Sequence, residues 1–375
     1  MKRISSHNIR KANKSFQVLP LLTLPSTIDE EKDFVTKLRH ACHTTGFFYI
    51  KNHNISRETY QDALNSSKTF FDLPLDEKMA IDYRKSPAFR GYMNLGCENT
   101  AGKTDQREQI EFGIEGFFVK NERQNTTLNE KNEVWKRLIG PNQWPNDSVP
   151  FLKPHITRYM MEMEVLSRRL MELIALSLDL PRNYFDDTFR DSPNVQFKIC
   201  HYPSFQKEDG KNEQFGVGCH TDSGYLSLLL QDDVGGLQVQ NGDGDWIDAP
   251  PLDGTIVVNL GEMIQLVTSG YYLATPHRVK NVYFSNENSN ARGRYSMPYF
   301  WNPRLDYIVS KIEPLPVSLN WERPKPISLD RTDSHGKAGN ILFSCYGENA
   351  FKSLARSHPD VMKRHHMDLL SGRNL

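Results

Sequence analysis

Apolar residues recur along this chain at two periods, and the change falls near Pro181. Before it, Ile28, Phe34, Val35, Leu38 and Ala41 stand at helical spacing within residues 27–45, with acidic residues in the first turn and Gly46 as a stop. A short strand precedes this helix within residues 17–24, and another, FFYI (47–50), follows it. A second helix is expected over about 56–72, and residues 84–107 read as irregular. The longest helical pattern is 151–180, with Ile156, Tyr159, Met163, Leu166, Leu170, Leu173 and Ile174 on one face. Beyond Pro181 the pattern becomes short β-runs at 195–202, 225–231, 236–240, 245–248, 255–260, 277–284 and 294–300. Turn residues separate them, among them NGDG (241–244), Pro250-Pro251 and the Asn/Ser/Gly-rich stretch 285–293. Residues 347–370 return to helical spacing. Closely spaced short strands predict an all-β barrel or jelly roll, wrapped by a helical and mixed amino-terminal half.

Composition narrows the functional classes. The 375 residues carry 46 basic and 46 acidic side chains. Such a balance lacks the long-range attraction to polyanions shown by nucleic-acid binders and by membrane-surface proteins. No apolar run approaches the ~20 residues of a membrane span. The basic amino terminus has no apolar stretch of the secretory type, and it reads as a disordered tail more readily than as a mitochondrial transit segment. Five scattered cysteines without a CxxC fit reduced thiols in a cytoplasmic protein. Nothing outside the expected core demands a partner subunit, so a monomer is expected.

Candidate chemistry begins at His220-Thr221-Asp222, because residues i and i+2 of a strand share a face and can reach one metal ion. The spacing alone is unspecific, since His358/Asp360 and His366/Asp368 repeat it. The latter pair lies in a helical pattern, where i and i+2 diverge, and His358 precedes a proline at a helix start, as a cap or solvated group would. The strand-rich setting singles out His220, with His277 placed 55 residues beyond Asp222 as a third ligand. Two imidazoles and a carboxylate leave positions open on non-haem Fe(II), although zinc accepts the same donors. Arg294-Tyr295-Ser296 adds a guanidinium fork and a hydroxyl on one strand face. An inward arginine needs an anion, either a structural carboxylate or the distal carboxylate of an acid cosubstrate.

With these residues in view, the sequence resembles the iron(II) and 2-oxoglutarate-dependent dioxygenases of the isopenicillin N synthase-like type. The resemblance runs through FVTKLRHACHTTGFFYIKNHNI (34–55), FFDLP (70–74), RGY (90–92), GCHTDSGYLSLLLQDDVGGLQVQ (218–240), TIVVNLGE (255–262), PHRV (276–279), RYSMPYF (294–300) and ARSHPDVMKRH (355–365). It implies an α+β fold with a β-rich double-stranded β-helix, or jelly roll, flanked by a mixed amino-terminal region and a carboxyl-terminal helix. The expected division is a tail at 1–16, an amino-terminal dioxygenase region at 17–190, the jelly-roll core at 191–310 and a carboxyl-terminal extension at 311–375. His220, Asp222 and His277 are implied as iron ligands, Arg294 and Ser296 as the grip on 2-oxoglutarate, Tyr202 as a further cosubstrate contact, and Phe300 as a substrate-facing position.

The implied reaction is oxidation of a small organic molecule with O₂, by hydroxylation, desaturation or ring closure, coupled to decarboxylation of 2-oxoglutarate to succinate, with ascorbate as a supporting reductant. Relatives such as isopenicillin N synthase and aminocyclopropane-carboxylate oxidase use Fe(II) and O₂ without 2-oxoglutarate and also carry Arg-x-Ser, so that motif does not separate the two. A non-catalytic carboxylate-binding barrel is the remaining alternative. Two departures from the family pattern stand out. Cys200 occupies a position where many relatives have asparagine, and the 17 residues from His277 to Arg294 imply a lengthened turn at 285–293. Tyr225, Tyr272, Tyr299 and Phe300 are candidate aromatic walls for a small substrate.

Overall fold

The computed structural model describes residues 16–100, 103–114, 133–206, 215–284, 293–319 and 344–370. Most of the expected tail, the 285–293 turn apart from Gly293, and much of the carboxyl-terminal extension therefore lie outside the described residues. Helix α1 (Ile28–Thr44) begins at a capping box in which Thr27 and Glu30 satisfy each other's backbone N–H groups. It ends where Gly46 takes a positive φ of 64°. Helices α2 (Arg57–Phe71), α3 (Leu75–Lys78) and α4 (Leu152–Ser177) follow, then α5 (Glu262–Val267). The closing helical stretch is three pieces, α6 (Tyr346–Ser357), α7 (Pro359–His365) and α8 (Met367–Leu370).

Sixteen strands are described: β1 (Leu21–Thr23), β2 (Phe47–Lys51), β3 (Gly91–Met93), β4 (Asn99–Thr100), β5 (Lys103–Thr104), β6 (Glu108–Phe112), β7 (Asn194–Tyr202), β8 (Ser204–Gln206), β9 (Phe215–His220), β10 (Leu226–Gln231), β11 (Leu237–Gln240), β12 (Trp246–Asp248), β13 (Thr255–Leu260), β14 (His277–Lys280), β15 (Val282–Phe284) and β16 (Arg294–Asn302). The large sheet runs β1-β2-β13-β10-β16-β7-β6-β3 and the small one β12-β11-β14-β9. Neither ladder closes on itself, so the core is an open double-stranded β-helix of two facing sheets and not a closed barrel. Strands β1, β2, β3 and β6 from the amino-terminal half extend the same sheet as the core strands.

Alternation along the large sheet separates two environments. Leu226, Leu228 and Leu230, Tyr295, Met297, Tyr299 and Trp301, and Val195, Phe197 and Ile199 face outward, into one core with the buried stripe of α4. The opposite face carries Ser227 and Gln231, Arg294 and Ser296, Lys198 and Cys200, and Gln109 and Glu111. Between the sheets, Phe47, Tyr49, Tyr202 and Val257 of one pack with Val217, Leu237, Val239 and Val279 of the other. The inner face is therefore apolar at one end and polar across the rest.

This division corrects two expectations and narrows a third. Tyr225, Tyr272 and Tyr299 are at most 1% exposed and belong to the outer core under the helices, not to a pocket wall. The stretch 84–107 contains β3, β4 and β5, and β6 follows it. His358 is not solvated: it is 2% exposed and occupies the cap position between α6 and α7, where its backbone N–H donates to the Leu354 carbonyl at 2.9 Å and its Nδ1 meets the same oxygen at 3.2 Å. Among the described residues, no helix is long and apolar enough to cross a membrane.

Candidate active site

His220 is the last residue of β9 and His277 the first of β14, and the two are direct partners across that antiparallel ladder. Their ring centroids are 4.2 Å apart. Asp222 lies two residues past the end of β9, so the pair sits at a strand end and not within a strand. The chain turns there and brings Asp222 Oδ1 to 3.8 Å from His220 Nε2 and 3.7 Å from His277 Nε2. The three donor atoms lie within 4.8 Å of one another, a spacing that can hold one metal ion. His366 and Asp368 are tied up in other contacts: both engage Arg137, His366 through Nδ1 at 3.1 Å and Asp368 through its carboxylate, and His366 Nε2 meets the Pro87 carbonyl.

Each donor is aimed by a neighbour. His220 Nδ1 faces the Gly218 carbonyl at 2.9 Å, and His277 Nδ1 faces the Thr275 carbonyl at 3.2 Å. A carbonyl only accepts, so both Nδ1 atoms carry the proton and both Nε2 lone pairs point at the centre. Asp222 Oδ2 accepts hydrogen bonds from Ser227 Oγ and, at 2.8 Å, from Asn259 Nδ2, which leaves Oδ1 toward the imidazoles. Ser227 and Asn259 are themselves opposite one another on β10 and β13. Gly261 completes this support: a Cβ there would meet the Gly224 carbonyl oxygen at 2.2 Å and that of Asp222 at 2.9 Å.

Electrostatics suit a cation. Burial pushes His220 down to about 3, assisted by the neighbouring His277, so this imidazole stays neutral. Burial pushes Asp222 up, but the two imidazoles and the hydrogen bonds from Asn259 and Ser227 outweigh it and hold the carboxyl below its usual range.

A second group stands on the same inner face. Arg294 is fully buried and donates from one terminal nitrogen to Gln231 Oε1 at 3.0 Å. Its Nε and second terminal nitrogen have no hydrogen-bond partner, and no ion pair joins it to a carboxylate among the described residues. Its guanidinium lies over the Tyr202 ring, and Gly216 leaves room for that ring, which a Cβ would meet at 2.6 Å. Ser296 is opposite both Gln231 and Cys200, and Phe300 is opposite Ser227, the residue that holds Asp222. Alternation places Arg294, Ser296 and Phe300 on this one face. Strand β10 thus ties the two groups together, Ser227 to the histidine–aspartate cluster and Gln231 to the arginine.

Sequence patterns did not point to Ser227, Asn259, Gln231 or Gly261. The signal available was a lone polar residue within each apolar run, LSLLL and TIVVNL, where only a buried partner repays its desolvation. Cys200 Sγ sits 3.7 Å from a terminal nitrogen of Arg107 and 3.8 Å from Gln109 Oε1, so its contacts run along β6.

Comparison with known proteins adds the following. The family model described as "non-haem dioxygenase in morphine synthesis N-terminal" matches residues 19–147, and that of the "2OG-Fe(II) oxygenase superfamily" matches 193–303. A 2-oxoglutarate-dependent dioxygenase, frbJ, of a Dothideomycetidae species is 39% identical, covering 92% of this chain and 91% of its own. A 1-aminocyclopropane-1-carboxylate oxidase of Dictyostelium discoideum is 32% identical, with 92% and 96% covered. Among solved structures, full-length Neurospora crassa T7H in complex with alpha-KG and thymine aligns with a TM-score of 0.69 at 25% identity, covering 92% of this chain and 99% of that one.

Proposed function

The chain belongs to the 2OG-Fe(II) oxygenase superfamily and is a 2-oxoglutarate-dependent dioxygenase, and we propose that His220, Asp222 and His277 are its iron ligands. Two neutral imidazole nitrogens and one carboxylate oxygen are the donor set that suits Fe(II) with positions left open. Arg294 and Ser296 grip the distal carboxylate of 2-oxoglutarate, with Tyr202 beside them. The observation that carries this reading is the pair of unpartnered nitrogens on a fully buried Arg294. A buried guanidinium left in that state is costly, and a carboxylate supplies the missing acceptors in bidentate geometry. Bound iron and 2-oxoglutarate supply the oxidising chemistry with O₂, at the expense of 2-oxoglutarate, which ends as succinate and CO₂.

The protein's own contribution is positional. Gly218 and Thr275 fix the imidazole tautomers, Ser227 and Asn259 orient Asp222, and Gln231 and Tyr202 hold the guanidinium in place. Phe300, across from Ser227, faces the substrate, a small organic molecule that is hydroxylated, desaturated or cyclised. Five free cysteines support a reducing, cytoplasmic setting, and the balanced charge supports the absence of nucleic-acid and membrane partners; the lack of heptads in the sequence is the ground for expecting a monomer.

Addition of 2-oxoglutarate to the anaerobic Fe(II) protein is expected to develop a visible charge-transfer band, and turnover with substrate to yield succinate. Oxygen consumption with neither band nor succinate would instead place the chain with the 2-oxoglutarate-independent oxidases.

A further inference from the structure

The inner face of the large sheet continues past the cosubstrate arginine into a charged sector that the iron and 2-oxoglutarate do not use. Glu111 of β6 is opposite Lys198 of β7, and Gln109 is opposite Cys200, which is opposite Ser296. Contacts run in a chain: Glu111 Oε2 lies 3.5 Å from Lys198 Nζ, which lies 3.1 Å from Glu98 Oε1, and Glu98 Oε2 meets Arg107. Asp105 also approaches Arg107, at 3.3 Å.

The sector borders the metal end of the site. Glu111 Oε1 accepts a hydrogen bond from Gln196, the direct partner of Phe300, which in turn is opposite Ser227. The loop that carries Arg107 packs on β9, with the Gln106 N–H donating to the Gly216 carbonyl at 3.1 Å.

Two features separate this sector from a closed structural ion cluster. Lys198, Glu98 and Arg107 retain 12%, 12% and 13% side-chain exposure on a face turned toward the small sheet, while Cys200 below them has none. These three side chains thus keep some accessible surface, which a sealed ion cluster would not. In addition, pairing is incomplete at both ends of the chain of contacts: Glu111 Oε2 has no hydrogen-bond donor and Arg107 Nε has no acceptor, though both atoms are buried. Native proteins rarely leave such atoms unsatisfied, and a carboxylate oxygen and a guanidinium N–H ask for opposite groups.

Building on the iron and 2-oxoglutarate reading above, we propose that this sector is the substrate subsite and that the substrate is an amino-acid-like zwitterion. Its cationic nitrogen donates to Glu111, its anionic oxygens accept from Arg107, and Phe300 packs against the carbon skeleton between the metal cluster and Gln196. Lys198 and Glu98 hold the two binding groups apart. The same chemistry disfavours wholly apolar or neutral aromatic substrates, which would leave both buried atoms without a hydrogen bond.

The test uses the anaerobic protein loaded with Fe(II) and 2-oxoglutarate. A panel of α- and ω-amino acids and guanidino acids is titrated beside their N-acetyl amides and neutral phenols and indoles, with perturbation of the charge-transfer band as the readout. At least one zwitterion should perturb the band, its neutral N-acetyl amide should bind at least tenfold more weakly, and Glu111→Gln should lose a similar factor while still developing the band with 2-oxoglutarate. The comparison of zwitterion with amide needs no variant, so it decides the matter even where Glu111→Gln does not fold. Perturbation by neutral compounds alone, by no zwitterion in the panel, or with equal affinity in Glu111→Gln overturns the proposal. Absence of any band with 2-oxoglutarate overturns the underlying reading, and this inference with it.

Discussion

The guanidinium of Arg294 lies 4.9 Å from the centre of the Tyr202 ring, and the two residues are direct partners across the β16–β7 ladder. The ring holds one face of the fork while Gln231 takes one of its N–H groups, so the remaining donors are aimed before any ligand arrives. Arg294→Lys keeps the charge but loses the fork. It is expected to weaken 2-oxoglutarate binding by about 10- to 100-fold, with Fe(II) affinity unchanged. Anaerobic titration of the charge-transfer band against 2-oxoglutarate measures this, and an unaltered midpoint would remove Arg294 from the cosubstrate site.

Ser227 and Asn259 both donate to Asp222 Oδ2 and hence choose which oxygen faces the imidazoles. Asn259→Ala is expected to lower metal affinity by about 10- to 100-fold through loss of this orientation. Competition with a chromogenic chelator gives the affinity, and circular dichroism verifies that the fold is retained. Equal affinity in wild type and variant would show that Asp222 is positioned by other means.

A Cβ at residue 261 has nowhere to go, because two carbonyl oxygens, of Gly224 and Asp222, already occupy its place. Gly261→Ala must therefore push the turn that carries Asp222. It should destabilise the protein by about 1–3 kcal/mol, as overpacking does, and weaken the metal site as well. Thermal unfolding with and without Fe(II) separates the two effects, since the stabilisation by metal should shrink in the variant.

How much of this was legible in the sequence follows from which face a residue occupies. The amphipathic faces of α1, α2 and α4 left plain periodic signals, and so did β10, β13 and β16, whose outward residues enter the large core. Strand β9, FGVGCH, left none: Gly216 is there because the Tyr202 ring fills the place of a Cβ, and Gly218 lies against Thr100, so two of its six positions carry no side chain to mark the alternation. Strand β6, EQIEF, is wholly buried yet carries charge on its inner face, which defeats a rule built on apolar residues. His220, Asp222, His277, Arg294 and Ser296 could be named because their chemistry is distinctive. Their supports could not, since a serine or an asparagine acquires its role only from the register that places it beside Asp222.

The same parity argument separates two adjacent aromatic residues. Tyr299 faces the helical core and is 1% exposed, whereas Phe300 faces the site from across Ser227. Tyr299→Phe is expected to leave kcat/KM within about twofold, since its ring packing survives. Phe300→Ala should raise KM for the organic substrate without altering that for 2-oxoglutarate. Steady-state kinetics on both substrates distinguish the positions, and a larger loss in Tyr299→Phe would contradict the assignment of faces.

Glu98 offers a pH-dependent test of the charged sector. Burial pushes its carboxyl up, but the Lys198 and Arg107 charges, with His358 beyond them, outweigh this and hold it well below the ordinary carboxylate range. A carboxyl depressed in the folded protein contributes stability that is complete above its unfolded value, about 4.3, and is lost as pH falls toward its folded value. Glu98→Gln lacks that contribution and also leaves two buried cations short of a partner, a loss of about 3–5 kcal/mol for such a pair. The variant should therefore be much less stable than wild type at pH 7, and the gap should narrow as the pH falls below about 4. Denaturant unfolding at pH 7 and at pH 3 reads both differences. A gap of the same size at the two pH values would mean that Glu98 is not the charged partner of Arg107 and Lys198.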